Sequence, residues 1–384
     1  MRILIAHNEY GKPSGEEHAV RAIAGILQSH GHQVNLFLRS SAEIQSTSVK
    51  VRAFFSGIYS PKAKREMLAT LSESQPDLVQ VQNLFPFLSP SILDACRQAG
   101  VPVVMRCPNY RLFCPNSLLL SHGKICERCL GGKEYWCVLR NCERSYCKSL
   151  GYAVRNAVAR ISGRILDNVE VFITLSEFQR NRFIDAGLAP DRVEILPNAV
   201  PAVNGAPSDG PGELITFVGR ASPEKGIEDF VAAARVLPKF PFAVAGATER
   251  MPELVRGSPA NLRWLGFLNE QALNDAYRQS RIIVMPSRCF EGFPNVITRA
   301  MVMAKPVVAS RLGPVPEIVE EGNTGLLFQA GCVEDLAQKI TALYSDPPRC
   351  CQMGEAGKAR ALALYSPDIV YERLMQIYSK ALKR

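Results

Sequence analysis

No stretch of this 384-residue sequence approaches 18 uninterrupted apolar residues. That is the length a membrane-crossing helix needs, so such a helix is excluded. A secretory signal is not expected either. After Met1 and Arg2 the apolar run lasts only from Ile3 to Ala6 before His7, too short for export. A cytosolic location follows as the expectation, with the twelve cysteines present as reduced thiols or metal ligands. No internal repeat of fixed period is visible. Apolar residues make up 47% of the chain and charged residues 21%, a globular composition that excludes disordered, collagen-like and small disulfide-stapled chains. At roughly 150 residues per domain, the length suggests two or three domains.

The formal net charge is +9, and it is concentrated. Between Val101 and Ile165 eleven Lys and Arg face three Glu, a local excess of +8. Such a stretch is either a solvated basic face or a surface for anionic partners, such as phosphorylated lipid headgroups, nucleic acid or acidic glycans.

Apolar periodicity alternates between strand and helix along the chain. Strands are expected at Arg2–Ala6, Gln33–Leu38, Asp77–Gln82, Val101–Met105, Glu170–Leu175 and Arg192–Leu196. Glu16–His30 has helical spacing and Gly31 suits the position past its end. Ser89-Pro90 opens a helix that Gly100 closes, and Ser176 can cap another. The segment from Pro201 to Pro211 is rich in turn formers and reads as a linker. Beyond it the alternation resumes, with strands at Leu214–Val218, Phe242–Ala245, Asn261–Leu265, Arg281–Met285 and Pro306–Ala309. From Val333 onward the chain reads as helical. This pattern predicts two doubly wound parallel-sheet domains, with ligands beyond the carboxyl ends of the strands and the interdomain cleft as the default site.

Two loops in the second half carry chemistry. The strand Leu214–Val218 runs into Gly219-Arg220-Ala-Ser-Pro-Glu-Lys225-Gly226. Arg offers a planar fork and Lys a point charge, a combination suited to a diphosphate. The alternative is an ordinary basic loop. Pro286-Ser-Arg-Cys-Phe-Glu291-Gly-Phe-Pro-Asn295 follows a strand and precedes the helical run Val296–Met303, whose free N–H groups can hold an anion. Glu291 is either a site carboxylate or a helix-start acid.

These loops resemble those of the family 4 retaining glycosyltransferases, as do Pro306-Val-Val-Ala-Ser and Thr324-Gly-Leu-Leu-Phe328. In the N-terminal half, Tyr10-Gly11, Gly15-Glu16-Glu17, Asn83-Leu-Phe-Pro, Asn109-Tyr-Arg-Leu-Phe-Cys-Pro-Asn116, Cys126-x-x-Cys129 and Pro197-Asn198 are similar to a subgroup with a cysteine-containing acceptor domain. The resemblance implies an α/β GT-B fold, two Rossmann-like domains facing a central cleft. An acceptor-binding domain over 1–200 would carry a Cys-rich basic insertion at 107–147. A nucleotide-sugar-binding domain would span 201–365. A crossover helix over 366–384, apolar at Ile369, Leu374, Ile377 and Tyr378, would return to the first domain.

The resemblance further assigns Arg220 and Lys225 to the donor diphosphate, where they would neutralise the leaving phosphate in metal-independent catalysis. Glu291 would lie near the reacting carbon, and Gly15 would let backbone approach the phosphates. Gly219, Gly292, Phe293, Asn295 and Arg299 would complete the donor site, with Asn109, Tyr110 and Arg111 on the acceptor side. The donor would be UDP- or GDP-linked. The acceptor would be a glycan or a lipid-diphosphate-linked intermediate of surface polysaccharide biosynthesis.

The chain departs from the family at several positions. Arg299 stands where a second Glu reads the ribose hydroxyls, which reverses the charge there. Pro108 replaces a His beside Asn109, and Gln80 and Gln82 stand where His is common. Ser14, Ala304 and Pro314 replace glycines. Arg299 and Pro108 keep two alternatives open, a catalytically impaired scaffold or sensor and, less favoured, a nucleotide-sugar epimerase of the same architecture.

Cys114, Cys126, Cys129 and Cys142 could form a tetrahedral thiolate site for structural zinc, stapling the basic insertion. Cys137 and Cys147 are extra, and unliganded buried thiols or disulfides are the alternative. No helix-turn-helix, RNA-recognition or finger spacing occurs, so nucleic acid is not the expected partner. Lys148–Arg164 carries Leu150, Val154, Val158, Ile161 and Ile165 at helical spacing. That stripe either packs into the core with basic residues outward, or rests on an anionic membrane surface at the inner face.

Overall fold

Fourteen strands and the helices between them make up the computed structural model, which describes residues 1–11, 15–43, 46–201, 212–249 and 251–384. In chain order the strands are β1 (Arg2–Glu9), β2 (Gln33–Ser40), β3 (Leu78–Asn83), β4 (Val103–Arg106), β5 (Leu120–Ser121), β6 (Lys124–Ile125), β7 (Val171–Thr174) and β8 (Val193–Ile195). There follow β9 (Leu214–Val218), β10 (Phe242–Ala245), β11 (Leu262–Gly266), β12 (Ser280–Met285), β13 (Val307–Ser310) and β14 (Gly325–Phe328). The chain divides into two units, Met1–Ser121 with Cys126–Ala199 and Pro367–Arg384, and His122–Ile125 with Val200–Ser366. Most of the expected linker, 202–211, and Ser14 lie outside the described residues.

The first unit holds a six-stranded sheet in the order β2-β1-β3-β4-β7-β8, parallel throughout. The expected strands fall within it, with ends that differ by up to three residues. Helix Gly15–Ser29 buries Val20, Ile23, Ala24 and Leu27 against the sheet, as its periodicity requires. The C-terminal helix Pro367–Leu382 packs Val370, Leu374, Ile377 and Tyr378 into the same core. Val370, not Ile369, is the buried position of its first turn.

This core is not wholly apolar. Arg106 is 0% exposed. Its Nη1 donates to Gln82 Oε1 at 3.3 Å and its Nη2 to Asn198 Oδ1. Burial pulls its pKa down to about 10, against the attraction of Glu16. Tyr378 donates to Gln80 Oε1 at 2.7 Å. His7 is fully buried, and neither ring nitrogen has a hydrogen-bond partner. Burial pushes its pKa down to about 4, opposed by Glu17.

The sign of the resulting pH dependence is fixed. Between about pH 4 and 6.5 the folded chain carries fewer protons at this site than the unfolded one. Stability is therefore lost as pH falls through that window, by about 3 kcal/mol at its foot. Denaturation midpoints measured from pH 7 to 4 should show this slope, and His7→Leu should flatten it. Parallel curves for the two proteins would remove His7 from the account.

The second unit holds a sheet in the order β11-β10-β9-β12-β13-β14, also parallel throughout. Its strands match the expected spans closely, except that β14 was legible only as a motif. The chain moves outward from β9 through β10 and β11, then returns to lay β12 on the other side of β9. That reversal leaves a crevice at the carboxyl ends of β9 and β12. Gly246 and Gly226 bring backbones together there. A Cβ on Gly246 would sit 1.8 Å from the Gly219 carbonyl oxygen, and one on Gly226 (φ 70°) 1.8 Å from that of Pro286. Ala304 has φ 54°, left-handed backbone that favours the glycine relatives carry.

Helix Tyr146–Ile161 departs from the core-packing expectation at Leu150 and Ile161, while Val154 and Val158 are half-buried and Ile165, beyond its end, is buried. It buries Ser149, Ala153, Arg155 and Asn156, while Leu150 is 53% exposed and Ile161 75%. The reason lies in the neighbouring loop. Asn156 Nδ2 donates to the Arg111 carbonyl at 2.7 Å and Arg155 Nη2 to that of Pro115 at 3.3 Å. Arg155 also lies over the Phe85 ring at 4.4 Å. The loop's polar backbone needs those partners, so the polar face turns inward.

Candidate active site

In the second unit the loops after β9 and β12 meet at the crevice. Lys225 Nζ donates to both Glu291 oxygens at 2.8 Å. Ser287 donates to Glu291 Oε1 at 2.5 Å. Burial works against the Lys225 charge, but the Glu291 carboxylate more than offsets it and holds the pKa above the ordinary value. Arg288 N donates to the Glu224 carbonyl at 2.9 Å, which ties the two loops together. Arg220 is half-exposed and its Nη2 donates to Glu224 Oε1 at 2.9 Å. Two of the three Lys225 N–H donors serve Glu291, leaving one for an oxyanion.

Helix Asn295–Val302 begins just beyond, and Pro294 at its cap makes no side-chain cap bond. Gly292 lies in the loop and Asn295 is exposed at the first helical position. Phe293, expected at the donor site, turns its side chain into the interior. It is buried, with its ring edge-on to Tyr365 at 5.2 Å. Arg299 is bound to Glu270 by both Nη atoms and to Asn274 Oδ1 at 2.7 Å. Glu270 and Asn274 were missed from sequence. Their helix, Glu270–Gln279, carries no motif, and only the unbalanced Arg299 hinted at a partner.

In the first unit a second cluster forms where the loops after β1, β3 and β4 converge. Asn109 Nδ2 donates to Glu16 Oε1 at 2.8 Å, and Tyr10 Oη donates to Glu16 Oε2 at 2.9 Å. Tyr10 N donates to Glu17 Oε1 at 2.8 Å. Arg111 Nη1 donates to Asn83 Oδ1 at 2.9 Å, and its guanidinium lies 5.5 Å from the Tyr10 ring centroid. Burial opposes the Arg111 charge, but Tyr10 and Glu16 hold its pKa above the ordinary value.

A cavity of about 30 Å³ is lined in part by Gln82, Asn83, Pro108, Asn109, Arg111 and Asn156. That is room for about one water, and Pro108 contributes an apolar wall. Gly15 opens helix Gly15–Ser29 and is exposed. Tyr110, expected on the acceptor side, does not line this cavity. It is 2% exposed, with its ring 6.4 Å from Phe183 in the interior, because Asn109 and Arg111 point the other way.

The cysteine stretch brings the four expected zinc thiols near one another. Cys114, Cys126 and Cys142 all act on the Cys129 thiol, which burial pushes up to about 12. Yet among the described residues no group of three or more His, Cys, Asp or Glu side chains is placed to hold a metal ion. Cys114 Sγ lies 2.9 Å from Asn116 Oδ1, and Cys142 Sγ 3.6 Å from Ser121 Oγ. Cys129 and Cys137 pack with Ala153, Trp136 and Val138. The insertion is held by ion pairs as well, Glu134 with Arg160 at 2.7 Å and Glu127 with Arg182 at 2.6 Å.

Two parallel-sheet α/β units, each with its polar cluster at the carboxyl ends of the strands around the point where strand order reverses, define a GT-B protein. Residues 14–199 match the family described as glycosyl transferase 4-like domain, and residues 212–346 that of glycosyl transferases group 1. The chain belongs to the family 4 glycosyltransferases.

An alpha-maltose-1-phosphate synthase of Mycolicibacterium smegmatis is 28% identical over 60% of this chain and 67% of its own length. An alpha-D-kanosaminyltransferase of Streptomyces kanamyceticus is 28% identical over 43% of this chain and 45% of its own. The chain thus spans between about half and two thirds of these relatives. The structure of Anabaena HepE in complex with UDP and glucose has a TM-score of 0.68 at 18% identity, covering 99% of each chain. That is a likeness of fold. Among the described residues no helix is long and apolar enough to cross a membrane.

Proposed function

We propose that the protein is a retaining glycosyltransferase that moves a hexose from a nucleotide-sugar, most simply a UDP-hexose, to a glycan or lipid-linked acceptor of surface polysaccharide synthesis. The observation that carries this reading is the Lys225–Glu291 pair at the carboxyl ends of β9 and β12, in a chain of this family. HepE, of the same fold, is described with UDP and glucose, and this favours UDP over GDP.

On this reading Lys225 and Arg220 take up the charge that develops on the departing diphosphate, so the leaving group needs no metal ion. Glu291, oriented by Lys225 and Ser287, contacts the sugar hydroxyls near the reacting carbon. Attack on the face the nucleotide leaves retains the anomeric configuration, and the leaving phosphate takes the acceptor proton. No separate enzymic base is then required. The acceptor lies against Asn109 and Arg111.

A thermal-shift panel with UDP, GDP, ADP and their sugar conjugates, without added metal, tests the donor reading. A ligand at about 100 times its dissociation constant should stabilise the fold by roughly 2.7 kcal/mol. A shift with UDP compounds that Glu291→Ala weakens for the sugar conjugate, followed by transfer with a retained anomer by NMR, is the expected result. No shift with any nucleotide would overturn it. The scaffold alternative would then lead, supported by the commitment of Arg299 to Glu270 and Asn274.

A further inference from the structure

We propose that the face formed by helices Thr47–Ile58 and Tyr146–Ile161 is a docking surface for an anionic membrane. Helix Tyr146–Ile161 is inverted relative to an ordinary surface helix. Its buried side is polar and braces the loop that carries Arg111. Its exposed side carries Tyr146 (65% exposed) and Leu150, one helical turn apart. Burying such side chains out of water is favourable, so an exposed apolar face of this kind is normally covered.

The neighbouring helix extends the surface. The Phe54 ring lies against Gly151, where a methyl group would come within 3.2 Å of it. Phe55 stands beside Phe54, ring centroids 5.2 Å apart, and is 62% exposed. Four large apolar side chains therefore project from two touching helices, two of them aromatic rings side by side at a helix–helix seam.

Charge selects the occupant. Arg144 and Lys148 are exposed next to Tyr146 and Leu150, and helix Thr47–Ile58 contains no acidic residue. The three acids of the 101–165 stretch do not balance them outward. Glu134 is buried on Arg160, Glu127 is paired with Arg182, and Glu143 is partly buried, with its pKa raised by burial despite Lys148 and Arg155. Apolar side chains flanked by the two cations Arg144 and Lys148 fit the boundary between acyl chains and anionic headgroups. A purely electrostatic partner would leave the aromatic residues uncovered. A neutral apolar partner would leave the cations unanswered. The same helix holds Arg155 and Asn156 against the Arg111 loop, so a docked surface would lie one helix thickness from that cluster. An acceptor anchored in lipid could be presented there. Docking itself does not depend on the transferase reading.

The test is flotation of the full chain with vesicles of phosphatidylcholine alone or mixed with phosphatidylglycerol, without donor or acceptor. Binding to the mixed vesicles only is expected, weakening as salt rises. Phe55→Ser with Leu150→Ser should lower the partition at least tenfold, because two apolar anchors are lost. Arg144→Glu with Lys148→Glu should lower it by roughly fivefold or more per position. All four positions are exposed, so the variants should melt like the parent. Absence of binding to mixed vesicles at low salt would overturn the proposal. So would binding that neither variant changes, a preference for RNA or DNA over vesicles, or a dimer that the apolar variant dissociates.

Discussion

Replacing Lys225 by alanine is expected to cut the rate of sugar transfer by roughly 10²–10³-fold, the loss typical when a preorganised charge at a developing oxyanion is removed. Two effects combine. The departing diphosphate loses a cation fixed in place by a two-pronged contact with Glu291 at 2.8 Å. Glu291 in turn is left with Ser287 but without its counter-charge, in a setting where only 13% of its side chain is exposed. An uncompensated carboxylate so placed is costly. The loss should fall on kcat more than on KM for the donor, since the charge it answers grows during the reaction. Steady-state kinetics of the variant, of Glu291→Ala and of the double variant decide the matter. Because the two side chains act as one unit, the double loss should be well short of the product of the single ones. A Lys225→Ala protein with kcat within a few-fold of the parent would show that the diphosphate is held elsewhere.

Substituting Gly226 by alanine should be among the most damaging single-methyl changes in the second unit. The residue sits at φ 70°, and its Cβ would stand 1.8 Å from the Pro286 carbonyl oxygen. Left-handed backbone costs a non-glycine residue about 1–2 kcal/mol, and forcing two backbones apart adds about 1–3 kcal/mol. A loss of roughly 2–5 kcal/mol in denaturant unfolding follows. The same displacement would move Lys225, next in the chain, off Glu291, so donor-induced stabilisation should disappear even well below the melting point. Full stability with intact donor binding would mean that the two loops have more slack than the contact implies.

Much of the architecture was legible in the amino-acid order. Buried parallel strands are short apolar runs, and the spans at 214–218 and 242–245 were readable to the residue because nothing but backbone pairing and apolar burial shapes them. The glycines and the Lys225 and Glu291 positions were also legible, since a tight approach and a charge leave residue types that few other roles require. Ala304, with φ 54°, shows the same rule from the other side. The backbone demand persists where the glycine does not.

What the order of residues did not disclose were partnerships between segments far apart in sequence. Arg299 reads as a charge reversal in a ribose site. In the folded chain its two Nη atoms bind Glu270 and Asn274, from a helix 25 residues upstream and more, while its buried Nε has no partner. Tyr110 and Phe293 sit inside functional motifs and are core residues, because a loop that points alternate side chains toward a site must point the others inward. The four expected zinc thiols come together only in the folded chain, where Cys114, Cys126 and Cys142 all act on Cys129. Helix Tyr146–Ile161 is the sharpest case. Its periodicity specifies an amphipathic helix and leaves open which face is turned in. Only the tertiary structure decided that, because the Arg111 loop needed polar partners more than the core needed Leu150.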